Sequence, residues 1–364
     1  MKKHVIALAV ASAVAVPAVA QNVSISGRID TSLASISDNA SSKSQRFLLS
    51  DLMTSNQIVI GGSEDLGGGL KANFNIISPF ASDSNNTVST QATGVASGAA
   101  SGFNFGGRGM VVGLSGGFGS VDIGRSPGSM ANSVMASSFS GNIGNLGALN
   151  ARPDNSISYS TPRISGVVGR VLHSLGNENA DNPSSSRYTE VSGDYTSGPL
   201  LARVFYGKMN ATTSVTATAA SNAALQERKE TGAQVNYDFG PAAVNVRYVK
   251  LDVDGGSAYD TSRLGLGINI PFANGISVFA DTWSMDDDGA KDYRNTSVGI
   301  VKALSKRTNI YAVASKTKND TAGTGGAFGG SYSSTSYVNG GTVPNAVAAD
   351  KDPSGVAVGI RHAF

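Results

Sequence analysis

Gly355-Val-Ala-Val-Gly-Ile-Arg-His-Ala-Phe364 closes the chain, and its alternation decides the fold. Val356, Val358, Ile360 and Phe364 fall on one face at period two; Gly355, Ala357, Gly359 and Arg361 fall on the other. An apolar face opposed by a small or polar one is the pattern of a strand that meets lipid on one side and a wet lumen on the other. The final aromatic residue stands where an interfacial aromatic girdle belongs.

The other end of the chain agrees. Lys2 and Lys3 precede an apolar run from Val5 to Val16, and Ala18-Val19-Ala20 forms a small-residue cleavage site before Gln21. Residues 1–20 therefore read as a secretory signal, because the run is too short to span a bilayer and no stop-transfer pattern follows. Residues 21–364 read as one β-barrel domain. Without Lys2 and Lys3 the 28 basic residues become 26, equal to the 26 acidic ones, so nothing points to a nucleic-acid partner. The absence of Cys excludes disulfides, thiol catalysis and thiolate metal sites.

Between these ends there is no apolar run of helix-spanning length, yet 45 Gly, with abundant Ser and Asn, is unusual for a water-soluble domain. A barrel with a polar lumen needs only every second strand residue to be apolar. Short turns occur at Glu64–Gly69, Ser115–Gly119, Thr161–Gly166, Thr196–Pro199, Asp238–Pro241, Pro271–Gly275 and Leu304–Thr308. Long polar loops occur at Ser35–Asp51, Ser78–Gly107, Ser126–Ala151, Leu175–Ser186, Asn210–Arg228, Val253–Tyr259, Met285–Asp292 and Lys318–Ser354. These connections join sixteen antiparallel strands, with short turns on one side of the membrane and long loops on the other.

The first strand sets Val23, Ile25, Gly27 and Ile29 against Ser24, Ser26, Arg28 and Asp30. The third, tenth and twelfth alternate as clearly, whereas the fourteenth and fifteenth alternate poorly and leave either a subunit interface or another register open. Arg or Lys on the lipid face costs about 2–4 kcal/mol at mid-membrane, so Arg28, Lys71 and Arg247 are expected to face the lumen. Alternation alone does not separate this barrel from a soluble β-sandwich; the signal, the terminal Phe364, the loop asymmetry and the Gly content do.

Six stretches carry a resemblance. Glu64-Asp-Leu-Gly-Gly-Gly-Leu-Lys-Ala-Asn-Phe74 and Val112-Gly-Leu-Ser-Gly-Gly-Phe-Gly-Ser-Val-Asp-Ile-Gly-Arg125 resemble signatures of the general Gram-negative porins. Asp154-Asn-Ser-Ile-Ser-Tyr-Ser-Thr-Pro162, Leu304-Ser-Lys-Arg-Thr308 and Gly359–Phe364 follow in the family's order. Ala100-Ser-Gly-Phe-Asn-Phe105 is similar to a stretch of the subgroup that contains the anion-selective porins. The resemblance implies a homotrimer among outer-membrane lipids and lipopolysaccharide that passes small hydrophilic solutes and ions without a cofactor. It also implies that Ser126–Ala151 folds inward as a constriction and that Ser78–Gly107 reaches over a neighbouring subunit.

Family constrictions oppose wall arginines to loop carboxylates, and the chain keeps part of that arrangement. Arg125 and Arg152 match the arginines that flank the inserted loop. Arg152 has the parity of Asp154, Ser156 and Ser158; Arg125 shares parity with Val121 and Ile123, and needs a bulge or a strand end to turn inward. Gln57 and Gly107 stand where the family and its subgroup have arginine, and Ser126–Ala151 contains no Asp or Glu. A mild anion preference is expected, which Asp154, Asp122 and Asp30 would reduce.

Other signals are weaker. Gly113-Leu-Ser-Gly-Gly117 fits a nucleophile-elbow pattern but runs into a strand rather than a helix. His173 and His362 are too far apart for a zinc pair, and Asp286–Asp288 lack the spaced ligands of a calcium loop. Neither an enzyme nor a cofactor is called for. A substrate-selective channel or an adhesive barrel remain the alternatives.

Overall fold

The computed structural model describes residues 22–38, 44–83, 105–144, 151–176, 186–211, 226–254, 260–289, 292–320, 325–328, 337–338, 341–342 and 351–364. The signal assigned to residues 1–20 and much of Ser78–Gly107, including Ala100–Gly102, lie outside them.

Sixteen antiparallel strands form a single closed sheet. They are β1 (Asn22–Ser37), β2 (Gln45–Ser50 and Gln57–Gly67), β3 (Leu70–Pro79), β4 (Gly109–Gly116), β5 (Gly119–Arg125), β6 (Ser156–Ser160), β7 (Val167–Ser174) and β8 (Tyr188–Ser197). Then come β9 (Leu200–Met209), β10 (Glu227–Asp238), β11 (Ala243–Asp254), β12 (Thr261–Phe272), β13 (Ile276–Asp287), β14 (Tyr293–Ala303), β15 (Thr308–Asn319) and β16 (Ser354–Ala363). The two segments of β2 count as one strand because both pair with β1, Ser50 opposite Thr31 and Gln57 opposite Arg28. Residues 51–56 bulge out of the ladder between them.

Closure joins the first strand to the last, with Leu33 opposite Val358 and Asp30 opposite Arg361. The backbone of Phe364 completes it: its N–H donates to Gly27 O at 3.0 Å and its carbonyl accepts from Gly27 N at 2.9 Å. Such closure leaves no edge with unpaired backbone groups, which a bilayer requires.

The two faces are inverted relative to a soluble protein. Val23, Ile25 and Leu33 of β1, Leu264, Leu266 and Ile268 of β12, and Val356, Val358 and Ile360 of β16 are exposed. Asp30, Glu190, Gln234, Arg247, Asp281 and Asn295 are buried inside. The apolar face is thus the outer one, and the soluble-sandwich reading is set aside.

β14 and β15 pair in unbroken register from Tyr293 opposite Asn319 to Ala303 opposite Asn309. The weak alternation of β15 comes from Tyr311 and Val313, which point inward and pack with Phe279 and Phe328. Phe328 belongs to a piece of the last long loop that returns to the inner wall: Asn319 Nδ2 donates to Gly325 O at 3.1 Å and Thr317 Oγ1 to Gly326 O at 2.6 Å.

Candidate functional site

The segment after β5 runs from Ser126 to Gly144 and hydrogen-bonds to strands on several sides of the barrel wall. Its root is clamped by backbone bonds from Ser126 N to Pro153 O at 2.9 Å and from Ser129 N to Ala151 O at 3.0 Å. Arg170 of β7 adds to the clamp, donating to Gly128 O at 2.7 Å and to Ser126 Oγ at 3.2 Å.

A single helix, α1 (Met130–Met135), follows. Ser129 caps it, its hydroxyl accepting from Asn132 N at 3.2 Å. Six residues are too few to hold a helix alone. Here Glu190 of β8 accepts from Met130 N at 2.8 Å and from Ala131 N at 3.1 Å, which satisfies two of the unpaired amides at the positive end of the helix. At the other end Gln234 of β10 donates to Ala136 O at 3.2 Å. Ala131, Val134 and Met135 share one face at helical spacing and pack against Phe205, Val249 and Trp283 of the wall.

The chain continues along the same part of the wall before it reaches β2. Ser137 Oγ donates to Asp281 Oδ2 at 2.6 Å, and Ser138 Oγ to Asn236 Oδ1 at 2.8 Å. Arg247 donates to Gly144 O at 2.9 Å and to both carboxylate oxygens of Asp281 at 2.8 and 3.2 Å. Asn142 reaches the bulge in β2, its backbone N–H donating to Met53 O at 3.1 Å and its amide to Asp51 O at 2.6 Å. The bulge is itself held by Asp30, whose Oδ2 accepts from Met53 N and Thr54 N at 2.9 and 2.6 Å and whose Oδ1 accepts from Tyr311.

The residues singled out in the sequence fall into three groups. Arg247 and Asp30 face inward as their parity requires, yet both are fully buried. They are structural clamps rather than free charges, because the loop and the bulge cover them. Arg125 and Asp154 form an ion pair, and Arg125 Nε also donates to Gly107 O at 3.0 Å. Gly124 has φ of +131°, a left-handed conformation, one residue before the end of β5. Arg125 is the last residue of that strand and still pairs with Met110 of β4.

Arg28, Arg152, Asp122, Lys71 and Gln57 make up the third group. Arg28 Nε donates to Ser55 O at 2.8 Å, and the Arg361 guanidinium lies near enough to repel it. Arg152 forms no ion pair among the described residues, and burial together with the nearby Arg125 charge lowers its pKa. Asp122 faces the charge of Arg170. Lys71 is exposed near the short-turn end, and Gln57 starts the second segment of β2. The structure brings Arg125, Gly107 and Asp154 together and leaves Lys71 apart.

Sequence reasoning missed Asp281, Glu190, Arg170 and Arg203, the last of which donates to Gln234 at 2.9 Å. Inward parity on their strands was the available signal. Among the described residues no group of His, Asp or Glu is placed to hold a metal. His173 and His362 bond instead to Thr189 and Thr308.

Comparison with known proteins agrees with this architecture. A family model described as Gram-negative porin matches residues 7–322. Outer membrane porin protein 32 of Delftia acidovorans is 29% identical, with all of both chains covered. An outer membrane porin protein of Bordetella pertussis is 26% identical over 88% of this chain and 95% of its own. Among solved structures, the anion-selective porin from Comamonas acidovorans superposes with a TM-score of 0.73 at 27% identity, covering 95% of this chain and all of that one. The trimer form of OmpT from Vibrio cholerae shares the fold, with a TM-score of 0.63 at 15% identity over 95% of this chain and all of its own. With its closed sixteen-stranded sheet, inverted faces and matching family model, the chain belongs to the Gram-negative porins, which are transport proteins of the outer membrane rather than enzymes.

Proposed function

We propose that the chain is exported with loss of residues 1–20, assembles as a homotrimer in the outer membrane and forms a passive channel for small hydrophilic solutes and ions, with a mild anion preference. In this reading Ser126–Ala151 narrows the lumen. One observation carries the selectivity. The loop contributes no carboxylate, and the wall carboxylates that touch it, Asp281 and Glu190, are spent on Arg247, Ser137 and the amides of α1. Arg28, Arg170 and Arg203 hydrogen-bond to neutral acceptors, with the charges of Asp51, Asp122 and Asp194 respectively near them, and Arg152 stands without an ion pair among the described residues. A lumen wall of arginines without matching loop carboxylates attracts anions.

The family supports this reading, as does the relative described as anion-selective. Purified protein in a planar bilayer across a salt gradient tests it. Stepwise, voltage-tolerant conductance with an anion-signed reversal potential, reduced in Arg152→Ala, is the expected result. A cation-signed potential would overturn the selectivity, and a folded trimer without conductance would overturn the channel.

A further inference from the structure

The described methionines divide by exposure. Met53, Met135 and Met209 are buried. Met110 is exposed, but on the outer face in line with Val112 and Leu114. Met130, the first residue of α1, and Met285 of β13 are half-buried. Both pack at the edge of the apolar contact that joins Ala131, Val134 and Met135 of α1 to Phe205, Val249 and Trp283 of the wall.

The two thioethers thus approach one contact from both of its partners, the helix and the wall. Met285 stands opposite Tyr293 in register, and the Tyr293 ring meets Trp283 edge-on at 5.2 Å. Trp283 Nε1 is buried and finds no acceptor among the described residues. An oxygen placed on a sulfur of this cluster would be drawn towards that donor, into the contact rather than out to the lumen.

A thioether is apolar and fills irregular gaps, whereas its sulfoxide is polar and carries an acceptor oxygen. Six residues do not hold as a helix unaided, so α1 depends on this contact together with Glu190 and Gln234. Oxidation follows access. Met53, Met135 and Met209 lack that access, and Met110 faces away from the lumen.

We propose that Met130 and Met285 form an oxidation site for small neutral hydroperoxides, and that their conversion to sulfoxides releases α1 from the wall. The proposal rests on the channel reading above, since the oxidant reaches the inner wall through the lumen. A sulfur lone pair attacks one peroxide oxygen, an S–O bond forms and the O–O bond breaks. The departing hydroxide takes the proton from the sulfur-bound oxygen and leaves as water. Sulfur gives up an electron pair, and the peroxide takes it.

The test treats full-length protein, folded in detergent, with hydrogen peroxide and reads the oxygen gained at each methionine by peptide mass spectrometry. Met130 and Met285 should gain oxygen about tenfold faster than Met53, Met135 and Met209. Single-channel conductance and current noise, recorded before and after treatment, should rise together. Methionine sulfoxide reductases for both epimers should restore the untreated trace. With Met130→Leu and Met285→Leu combined, a swap that nearly conserves volume, peroxide should leave the variant's own conductance where it began. Equal oxygen gain at all the inner methionines would overturn the proposal, as would an oxidised protein whose conductance is unchanged. A double variant that responds to peroxide as the wild type does would place the effect at another residue and overturn it too. Should the double variant not fold, the reductase experiment decides on the wild type alone. Recovery must then track the loss of oxygen from Met130 and Met285, and recovery without that loss overturns the site. A folded protein that passes no current before treatment fails the channel reading, while the masses still score the site.

Discussion

Arg247 and Asp281 meet at 2.8 Å inside the barrel with side chains 0% and 1% exposed, and both also bond to the segment that follows α1. Asp281 accepts from Ser137 and Arg247 donates to Gly144, so the two ends of the stretch 137–144 hang on one ion pair. Two desolvated charges gain from each other only while both are present, and removing one leaves the other unpaired at about 3–5 kcal/mol. Arg247→Met and Asp281→Leu are each expected to release this stretch, raising single-channel conductance and current noise and lowering the urea midpoint. The double variant leaves no stranded charge and should melt closer to wild type than either single. A double variant that melts at the sum of the two losses would show that the residues act independently.

Glu190 makes a separate prediction, because it holds the start of α1 rather than the tip of the segment. It accepts two helix amides and the Tyr188 hydroxyl, the latter at 3.0 Å. A hydrogen bond to a charged group contributes about 1.5–3 kcal/mol, and an amide in its place keeps one acceptor and adds donors that face other donors. Glu190→Gln should therefore loosen α1 while the strands stay in place. Open-channel flicker should increase and amide hydrogen exchange at Met130 and Ala131 should quicken, with the melting temperature of the barrel nearly unchanged. Unaltered exchange at those amides would mean that Ser129 and the apolar face are sufficient.

The barrel was legible because period-two alternation and turn chemistry are local. Val356, Val358 and Ile360 are exposed and Ala357 is buried, as their spacing requires. The same parity carried Arg247 and Asp30 to the inner face but not to their partners. Asp281 lies 34 positions from Arg247 and Tyr311 lies 281 from Asp30, and no local pattern encodes such pairings. Parity gives the side a residue faces, whereas a loop that returns to cover that side decides whether it lines water or lies buried. Phe328 illustrates this best: its Gly-rich surroundings read as an open polar loop, and it packs inside the wall.

Asp154 offers the most direct handle on charge. Its carboxylate is 60% exposed and neutralises Arg125, which is 17% exposed. An ion pair with one open partner contributes little to stability, about 0–1 kcal/mol, so removing the carboxylate should leave folding intact. Asp154→Asn frees one positive charge beside Arg152. The reversal potential should move toward the anion value, and more so at low salt, where screening is weaker. A shift in the cation direction, or none at low salt, would place Arg125 away from the ion path.

Phe328 and Gly355 make the last prediction. A Cβ on Gly355 would lie 2.5 Å from the Phe328 ring, so the ring sits on β16 only because that residue has no side chain. The ring anchors residues 325–328, which are otherwise held by hydrogen bonds from Asn319, Thr317 and Asn295. Gly355→Val should expel the ring without disturbing the strand, since valine favours the extended backbone. Phe328→Ala removes the same contact from the other side, a loss of about 3–5 kcal/mol where an aromatic ring is fully packed. Both variants are expected to free residues 325–328 from the inner wall, giving early protease cleavage within that segment and a larger conductance. If cleavage quickens while conductance stays the same, the segment lies outside the path that ions take. If neither changes, the hydrogen bonds of Asn319 and Thr317 hold it unaided, and Thr317→Val should then release it.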